Sequence, residues 1–261
     1  MSRPLAIDLC VGLGGWAEGL IAAGFRVVGF DIEDMFKALG ESKPEHFSLV
    51  LQDIRTLHGS QFRDAALIVA SPPCQAYSWM AMPWSHAKAK VAAIRADTTG
   101  EELRKLNELF DACWRLKREA SEAAGHDVPL VIENVRGAIP WVGRSKDNAG
   151  SMHFWGDVPA LMPCHRHIKV QAFRFDGSGR SFQSSAVREH ALPEGVRPTS
   201  LAWGNESRWF NDGPRSPDSI SSSSSSSPRR KAASAKIAKV PFEISSWIGR
   251  CYLPLPEKEP A

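Results

Sequence analysis

Short apolar runs recur along the first half of this chain, and each one stops at a polar or turn-forming residue. PLAIDL, residues 4–9, leads into Val11-Gly12-Leu13-Gly14-Gly15; RVVGFD, residues 26–31, ends on an acid. Residues 48–51 stop before Gln52-Asp53, residues 67–70 before Ser71-Pro72-Pro73, and residues 128–132 run into Glu133-Asn134-Val135. Runs that are apolar without alternation are buried on both faces. The segments between them have helical spacing: Trp16, Leu20 and Ala23, closed by Gly24, and then Leu103, Leu106, Phe110, Cys113, Leu116 and Ala120, closed by Gly125. Strands alternating with helices predict an α/β fold, a mostly parallel sheet with helices on both faces. Ligands of such a sheet bind beyond the carboxyl ends of its strands. The residues at which the runs stop are therefore the candidate site.

Thr99 and Glu102 have capping-box spacing for a helix over about 100–124. A strand is expected over 151–155. After Gly156 the texture changes: residues 158–236 are rich in Arg, Ser, Gly and Pro, and Ser221–Ser227 reads as part of a disordered linker over about 214–230. Order is expected to return near Ile237. Pro241 opens a last helix whose apolar face is Ile244, Trp247, Ile248 and Cys251, packing back on the core. The expected division is a core over 1–157, a small basic insertion over 158–236, and a returning helix over 237–261.

Charge follows the same division. Residues 1–133 hold 14 Lys/Arg against 18 Asp/Glu, while residues 134–261 hold 18 against 11. A basic second half suits a polyanionic partner, although a solvated surface has the same composition. The chain contains no run of apolar residues long enough to span a membrane, and its N-terminus shows no signal-peptide pattern. Five cysteines without a paired spacing fit a reducing, cytoplasmic setting.

Three places carry chemistry. The first is the turn CVGLGGW after Asp8, where glycines permit close backbone approach to a ligand; Asp31, 19 residues after Gly12, has the spacing of a ribose-binding acid. Tight strand–helix turns also carry glycines for structure alone. The second is Cys74. Two prolines fix a stiff exit from the sheet and deliver a thiol at its ligand-binding edge, a candidate nucleophile. Most free cysteines are small buried hydrophobes, and that reading serves for Cys10, Cys113 and Cys251. The third is Glu133, whose carboxylate should reach the same edge with a raised pKa and act as a proton donor. Cys164-His165-Arg166-His167 lacks the second ligand pair of a zinc site, so no metal is expected.

DLCVGLGGW, GFDIED, QDIR, SPPCQAYS and IENVRGA, in that order and each at a strand end, resemble the cytosine-5 DNA methyltransferase family. The likeness covers residues 5–138, weakens at GSMHFWGDVPALMP and the last helix, and is greatest to compact phage and prophage members. It implies an S-adenosylmethionine-dependent, Rossmann-like fold with a small irregular target-recognition insertion, acting as a monomer on double-stranded DNA with a flipped-out cytosine. By this resemblance Cys74 attacks carbon 6 and Glu133 acts at ring nitrogen 3. Asp8, Gly12, Gly14, Gly15 and Trp16 shape the methionine end of the S-adenosylmethionine site. Asp31 takes the ribose with Ile32 against the adenine, Asp53 and Ile54 meet the adenine edge, and Pro72 lines the pocket. The family's Gln-x-Arg-x-Arg motif is not legible, which leaves Arg136 and Arg144 as candidates for its work on the base. AKVPF stands where a Gly-Asn motif is expected. Trp79, Met80, Met82 and Trp84, in a lengthened loop from Ala76 to about Thr98, either insert beside the flipped base or pack on the core. Trp203, Arg208, Trp209 and Phe210 are candidate DNA contacts. An RNA cytosine-5 methyltransferase and a silent binding homologue are the alternatives.

Overall fold

The switch in strand order at the centre of the sheet positions everything that follows. In the computed structural model, which describes residues 2–78, 84–163, 235 and 238–254, seven strands lie in the order β3-β2-β1-β4-β5-β7-β6. These are β1 Leu5–Leu9, β2 Arg26–Asp31, β3 Phe47–Leu51, β4 Ala65–Ala70, β5 Leu130–Val135, β6 Asp147–Ala149 and β7 Met152–Gly156. The first five run parallel, whereas β7 pairs antiparallel with β5 and β6 antiparallel with β7. The chain winds outward from β1 to β3, then returns to β4 on the other side of β1. Leu9 pairs with Ala70, and the Ser71 N–H continues the ladder to the Leu9 carbonyl at 3.0 Å. The glycine turn and the Pro-Pro-Cys turn therefore leave neighbouring strands at a topological switch point.

The strands are buried on both faces because alternate residues feed two cores. Ile7, Leu9, Ile68, Ala70, Leu130 and Ile132 pack under the long helix α4, Glu101–Ala124, with its Phe110, Cys113, Leu116 and Ala120. On the opposite face Ala6, Leu67, Val69 and Val131 pack under α1, Gly15–Ala23, and α6, Phe242–Tyr252. The remaining helices are α2 Met35–Leu39, α3 Trp84–Ala96 and α5 Ile139–Val142. All these elements belong to one unit, Met1–His165 with Val240–Ala261. Among the described residues no helix is long and apolar enough to cross a membrane.

Several expectations are corrected. Helix α4 is not started by a Thr99–Glu102 box. Gly100 is the N-cap in the left-handed region, and the Asp97 carboxylate accepts the N–H groups of Thr99 and Glu102 at 2.8 Å each. Asp97 does so because Gly100 turns the chain and brings its carboxylate over the first turn. The segment from Ala76 to Thr98 is no long loop, since α3 occupies most of it. Cys251 is exposed and lies off the buried face of α6, which is Ile244, Ser245, Ile248 and Gly249. That face is set by close approach to α1: a Cβ on Gly19 would overlap Ser245 and the Ser246 backbone, and one on Gly249 would come within 2.7 Å of Ala23. Pro241 is the N-cap of α6, not part of its first turn. Of the remaining expectations, Trp79, Met80, Met82, Cys164, His165, the Ser-rich tract, Trp203, Arg208, Trp209 and Phe210 lie outside the described residues, as does nearly all of 158–236.

Candidate active site

The glycine turn is held by an acid from the next strand. Asp31, at the end of β2, accepts the Gly12 N–H on Oδ2 at 2.9 Å and the Ile32 N–H on Oδ1 at 2.7 Å. Gly12 and Gly14 sit at φ 54° and 67°, in the left-handed region that glycine enters without strain. Cys10 also sits there, at φ 61°, as a half-buried residue of this turn that packs against the core. A non-glycine residue in that region is strained by roughly 1–3 kcal/mol, held here by the Cys10 N–H bond to the Phe30 carbonyl at 2.8 Å. Gly14 caps α1 without a side chain, and Gly15 and Trp16 form its buried first turn.

Asp8 lies beneath this turn. It is fully buried, and neither carboxylate oxygen has a hydrogen-bond partner. Burial drives its pKa well above the carboxylate range, the charge of Asp31 adds to this, and the nearby Ala17 amide pulls the other way. An orphaned carboxylate at the carboxyl end of β1 calls for a donor or a positive charge. Around it stand Asp31 and Ile32, the latter 76% exposed. Asp53 is held ionised below its ordinary pKa by Arg55, which grips it through Nε at 3.0 Å and also reaches Glu108 at 2.8 Å. Ile54 faces inward, packed with Leu57 and Phe62, so its side chain belongs to the core. An acid-lined rim, an exposed aliphatic side chain and an unpartnered buried carboxylate fit a nucleoside that carries a cationic tail.

The second cluster lies one strand away. After β4, Pro72-Pro73 deliver Cys74 at the first position of a 3-10 turn, Cys74–Ala76. Its thiol is half-buried; burial pushes its pKa up, the negative charge of Glu133 pushes it further, and its own backbone N–H pulls it down. Glu133 does not follow the end of β5, as expected from sequence, but lies inside it. The β4 pairing stops at Ala70–Ile132, whereas β7 pairs with β5 as far as Val135 and prolongs the strand. Glu133 is 8% exposed, and burial lifts its carboxyl to about 7 against one opposing hydrogen bond, from Ser71 Oγ to Oε2 at 3.1 Å. Asn134 is fully buried and donates through Nδ2 to the Pro72 carbonyl at 2.9 Å, which ties the Pro-Pro turn to β5.

Of the two candidate arginines, Arg136 opens the turn directly after β5. It is exposed, and its charge holds the buried His153 below its ordinary pKa, after burial itself. Arg144 is exposed between α5 and β6. Sequence reasoning missed the supports of the cysteine turn. Tyr77, 2% exposed, hydrogen-bonds Asn107 Oδ1 at 3.0 Å, and Asn107 donates to the Trp141 carbonyl at 2.9 Å. Lys90 of α3 donates to the Ala76 carbonyl at 3.2 Å. The available signal was one asparagine inside the apolar stripe of α4, beside Leu106 and Phe110.

Residues 5–84 match the family profile described as C-5 cytosine-specific DNA methylase. Among solved structures, similarity is found to a prophage-encoded E. coli protein described as a DNA modification methyltransferase, at 22% identity and a TM-score of 0.35. It is also found to the Dnmt2 methyltransferase of S. pombe, at 18% and 0.31, and to the Entamoeba histolytica methyltransferase EhMeth, at 17% and 0.30. Each match covers 52% of this chain, and it spans 33%, 35% and 39% of those three chains respectively. No curated protein matches the chain.

Proposed function

We propose that the protein is a DNA (cytosine-5) methyltransferase using S-adenosylmethionine, on the premise that residues 5–84 match the C-5 cytosine-specific DNA methylase profile. The observation that carries the reading is the electrostatic influence of Glu133, buried within β5, on Cys74 in the turn after the adjacent β4, which itself neighbours β1 and its glycine turn. A thiol and a buried carboxyl with a pKa of about 7 are the nucleophile and acid that this chemistry requires.

The reaction proceeds by covalent activation of the base. The Cys74 thiolate adds to carbon 6 of a cytosine turned out of the duplex, and the Glu133 carboxyl delivers its proton to ring nitrogen 3. Carbon 5 thereby becomes an enamine-like nucleophile. When bound, S-adenosylmethionine supplies an electrophilic methyl group on a sulfonium. Asp8 meets the positive end of this cofactor, with Gly12, Gly14, Gly15 and Trp16 forming the turn around it. Asp31 takes the ribose, Ile32 and Asp53 flank the adenine, and Ile54 supports that edge from the core. Pro72 closes the side toward Cys74. Once carbon 5 carries the methyl group, its proton leaves to solvent, the Cys74 thiolate departs, and ring nitrogen 3 returns its proton to the Glu133 carboxylate as 5-methylcytosine is released.

The substrate is duplex DNA with a flipped cytosine. Residues 158–236, basic overall, are the target-recognition region, and Arg136 is better placed than Arg144 to reach the base because it follows Glu133 on the same strand end. The protein acts as a cytoplasmic monomer, in a phage or restriction–modification setting.

The test is nucleoside mass spectrometry on DNA from cells free of other cytosine methylation, expressing the parent or Cys74→Ser. 5-Methylcytosine with the parent alone establishes the reaction and its nucleophile. Methylation confined to RNA overturns the choice of substrate. Failure of the soluble protein to form an adduct with a 5-fluorocytosine duplex overturns the covalent mechanism.

A further inference from the structure

The Ser71 hydroxyl stands between two buried side chains, Trp16 from helix α1 and Glu133 from strand β5. Trp16 Nε1–H donates to Ser71 Oγ at 2.9 Å, and Ser71 Oγ–H donates to Glu133 Oε2 at 3.1 Å. Trp16 is 2% exposed. The backbone around Ser71 is fixed as well: its N–H bonds the Leu9 carbonyl, and the next carbonyl, that of Pro72, accepts from Asn134. The Ser71 backbone is thus tied to β1 on one side and to β5 on the other.

A hydroxyl has one proton and two lone pairs, and an indole N–H only donates. Trp16 therefore occupies a lone pair of Ser71, and the serine proton must go elsewhere. Among the described residues Glu133 Oε2 is its one acceptor. Were Oε2 protonated instead, the serine would have to accept from it, and its own proton would lose its acceptor in a buried site. Oε2 is thereby committed to accepting.

We propose that Ser71, oriented by Trp16, is a positioning residue that confines the Glu133 proton to Oε1. The use of that proton rests on the cytosine-5 reading, because Oε1 is then the oxygen that presents it to the base; the relay itself does not. Loss of the Ser71 bond removes the one contact that favours the charged carboxylate, so the Glu133 pKa rises from about 7. The titratable group facing Glu133 is Cys74, from the turn after β4. Packed against it from β7 and α1 are Phe154 and Trp16, which do not titrate.

The experiment follows the Trp16 indole resonance of ¹⁵N-tryptophan-labelled protein against pH, with that resonance assigned by its loss in Trp16→Phe. It should titrate near pH 7 in the parent, lose that titration in Glu133→Gln and in Ser71→Ala, and regain it in Ser71→Thr, which restores a hydroxyl. The infrared carboxyl band of ¹³C-glutamate-labelled Ser71→Ala should titrate at higher pH than in the parent. Ser71→Ala should also lower kcat about tenfold to a hundredfold with KM for DNA unchanged, and Ser71→Thr should recover it. A Trp16 resonance flat across pH 5–9 in the parent, or one that still titrates in Ser71→Ala, overturns the proposal. Normal methylation with a flat resonance defeats the relay alone; a titrating resonance without methylation defeats the cytosine-5 reading and leaves the relay standing.

Discussion

Asp8 and Glu133 are the same chemical group in nearly the same place, yet the protein treats them differently. Both lie buried near the carboxyl ends of parallel strands, β1 and β5, on the face under α1 and α6. In both, burial is the main force on the pKa. Asp8 has no hydrogen-bond partner, whereas Glu133 has one, from Ser71. An acid with no hydrogen bond made to it is held for something that arrives; an acid with one donor on one oxygen is held ready to give a proton from the other. The β1 end is thus built to bind and the β5 end to react.

The largest effects should separate the two ends by kinetics. Glu133→Gln keeps the shape and removes the acid, so kcat should fall about 10²- to 10⁴-fold, with S-adenosylhomocysteine binding changed little. Asp8→Asn should do the reverse, weakening S-adenosylhomocysteine binding about tenfold to a hundredfold while kcat at saturating cofactor stays near the parent value. Calorimetric titration beside single-turnover kinetics checks both. If Asp8→Asn lowers kcat as much as Glu133→Gln, the two ends are not functionally distinct.

The next effect is in the pH profile. Glu133 titrates at about 7, and burial and the Glu133 charge keep the Cys74 thiol above its ordinary value. Between those two points the pair holds one proton, resting on sulfur. The reactive arrangement, thiolate beside carboxylic acid, also holds one proton. kcat/KM should therefore be flat from about pH 7 up to the thiol pKa, falling about tenfold per pH unit on either side as a proton is gained or lost. In Glu133→Gln the acid limb at 7 should vanish, and the rate should rise with pH until the thiol ionises. A parent profile that rises steadily through pH 7–9 would mean that the Glu133 proton takes no part.

How these two acids could be read in advance differs. Asp8 was legible as an acid inside the run before the glycine turn, and Glu133 as the acid that directly follows an apolar run, at the edge where an α/β chain binds ligands. The parallel strands and helices α1 and α4 were legible for the same reason, since period and glycine stops leave few alternatives. What was not legible depends on contacts distant in sequence. Glu133 lies inside β5 because β7 pairs there, and the pairing of β6 with β7 leaves no mark in a three-residue strand. Cys251 faces outward because α6 meets α1 through Gly19 and Gly249, and apolar spacing alone favours larger residues for that face. Ser71 read as part of a turn, because the partners that give it a role lie 55 and 62 residues away.

Stability should show a smaller but sharper version of the comparison. An acid whose folded pKa is raised keeps its proton in the native state after the unfolded chain has lost it. Each such group makes stability fall as pH rises from its unfolded pKa to its folded one, by about 1.4 kcal/mol per pH unit. For Glu133 the window is about 4.3 to 7. For Asp8 it opens near 3.9 and extends upward. Urea unfolding at a series of pH values should show Glu133→Gln flattening the slope only within its window, and Asp8→Asn flattening it from lower pH onward. If S-adenosylhomocysteine supplies the partner that Asp8 lacks, adding it should flatten the parent's slope as Asp8→Asn does and leave the Glu133 contribution in place.

The smallest effect belongs to the wet rim of the cofactor side. Asp53 is an acid of the opposite kind: its Arg55 side chain is 47% exposed, and the ion pair holds the Asp53 pKa below its ordinary value. The sign therefore reverses. Stability from this pair is present above the unfolded pKa of about 3.9 and is lost as pH falls through the folded one. Because the pair is open to solvent, Arg55→Ala should move Tm by no more than about 2 °C at neutral pH, and the difference should shrink in high salt and disappear in acid. A larger change that persisted in high salt would mean that Arg55 acts by packing the turn over Ile54. The contrast would then lie between two kinds of packed end, and the adenine edge would be as rigid as the cysteine turn.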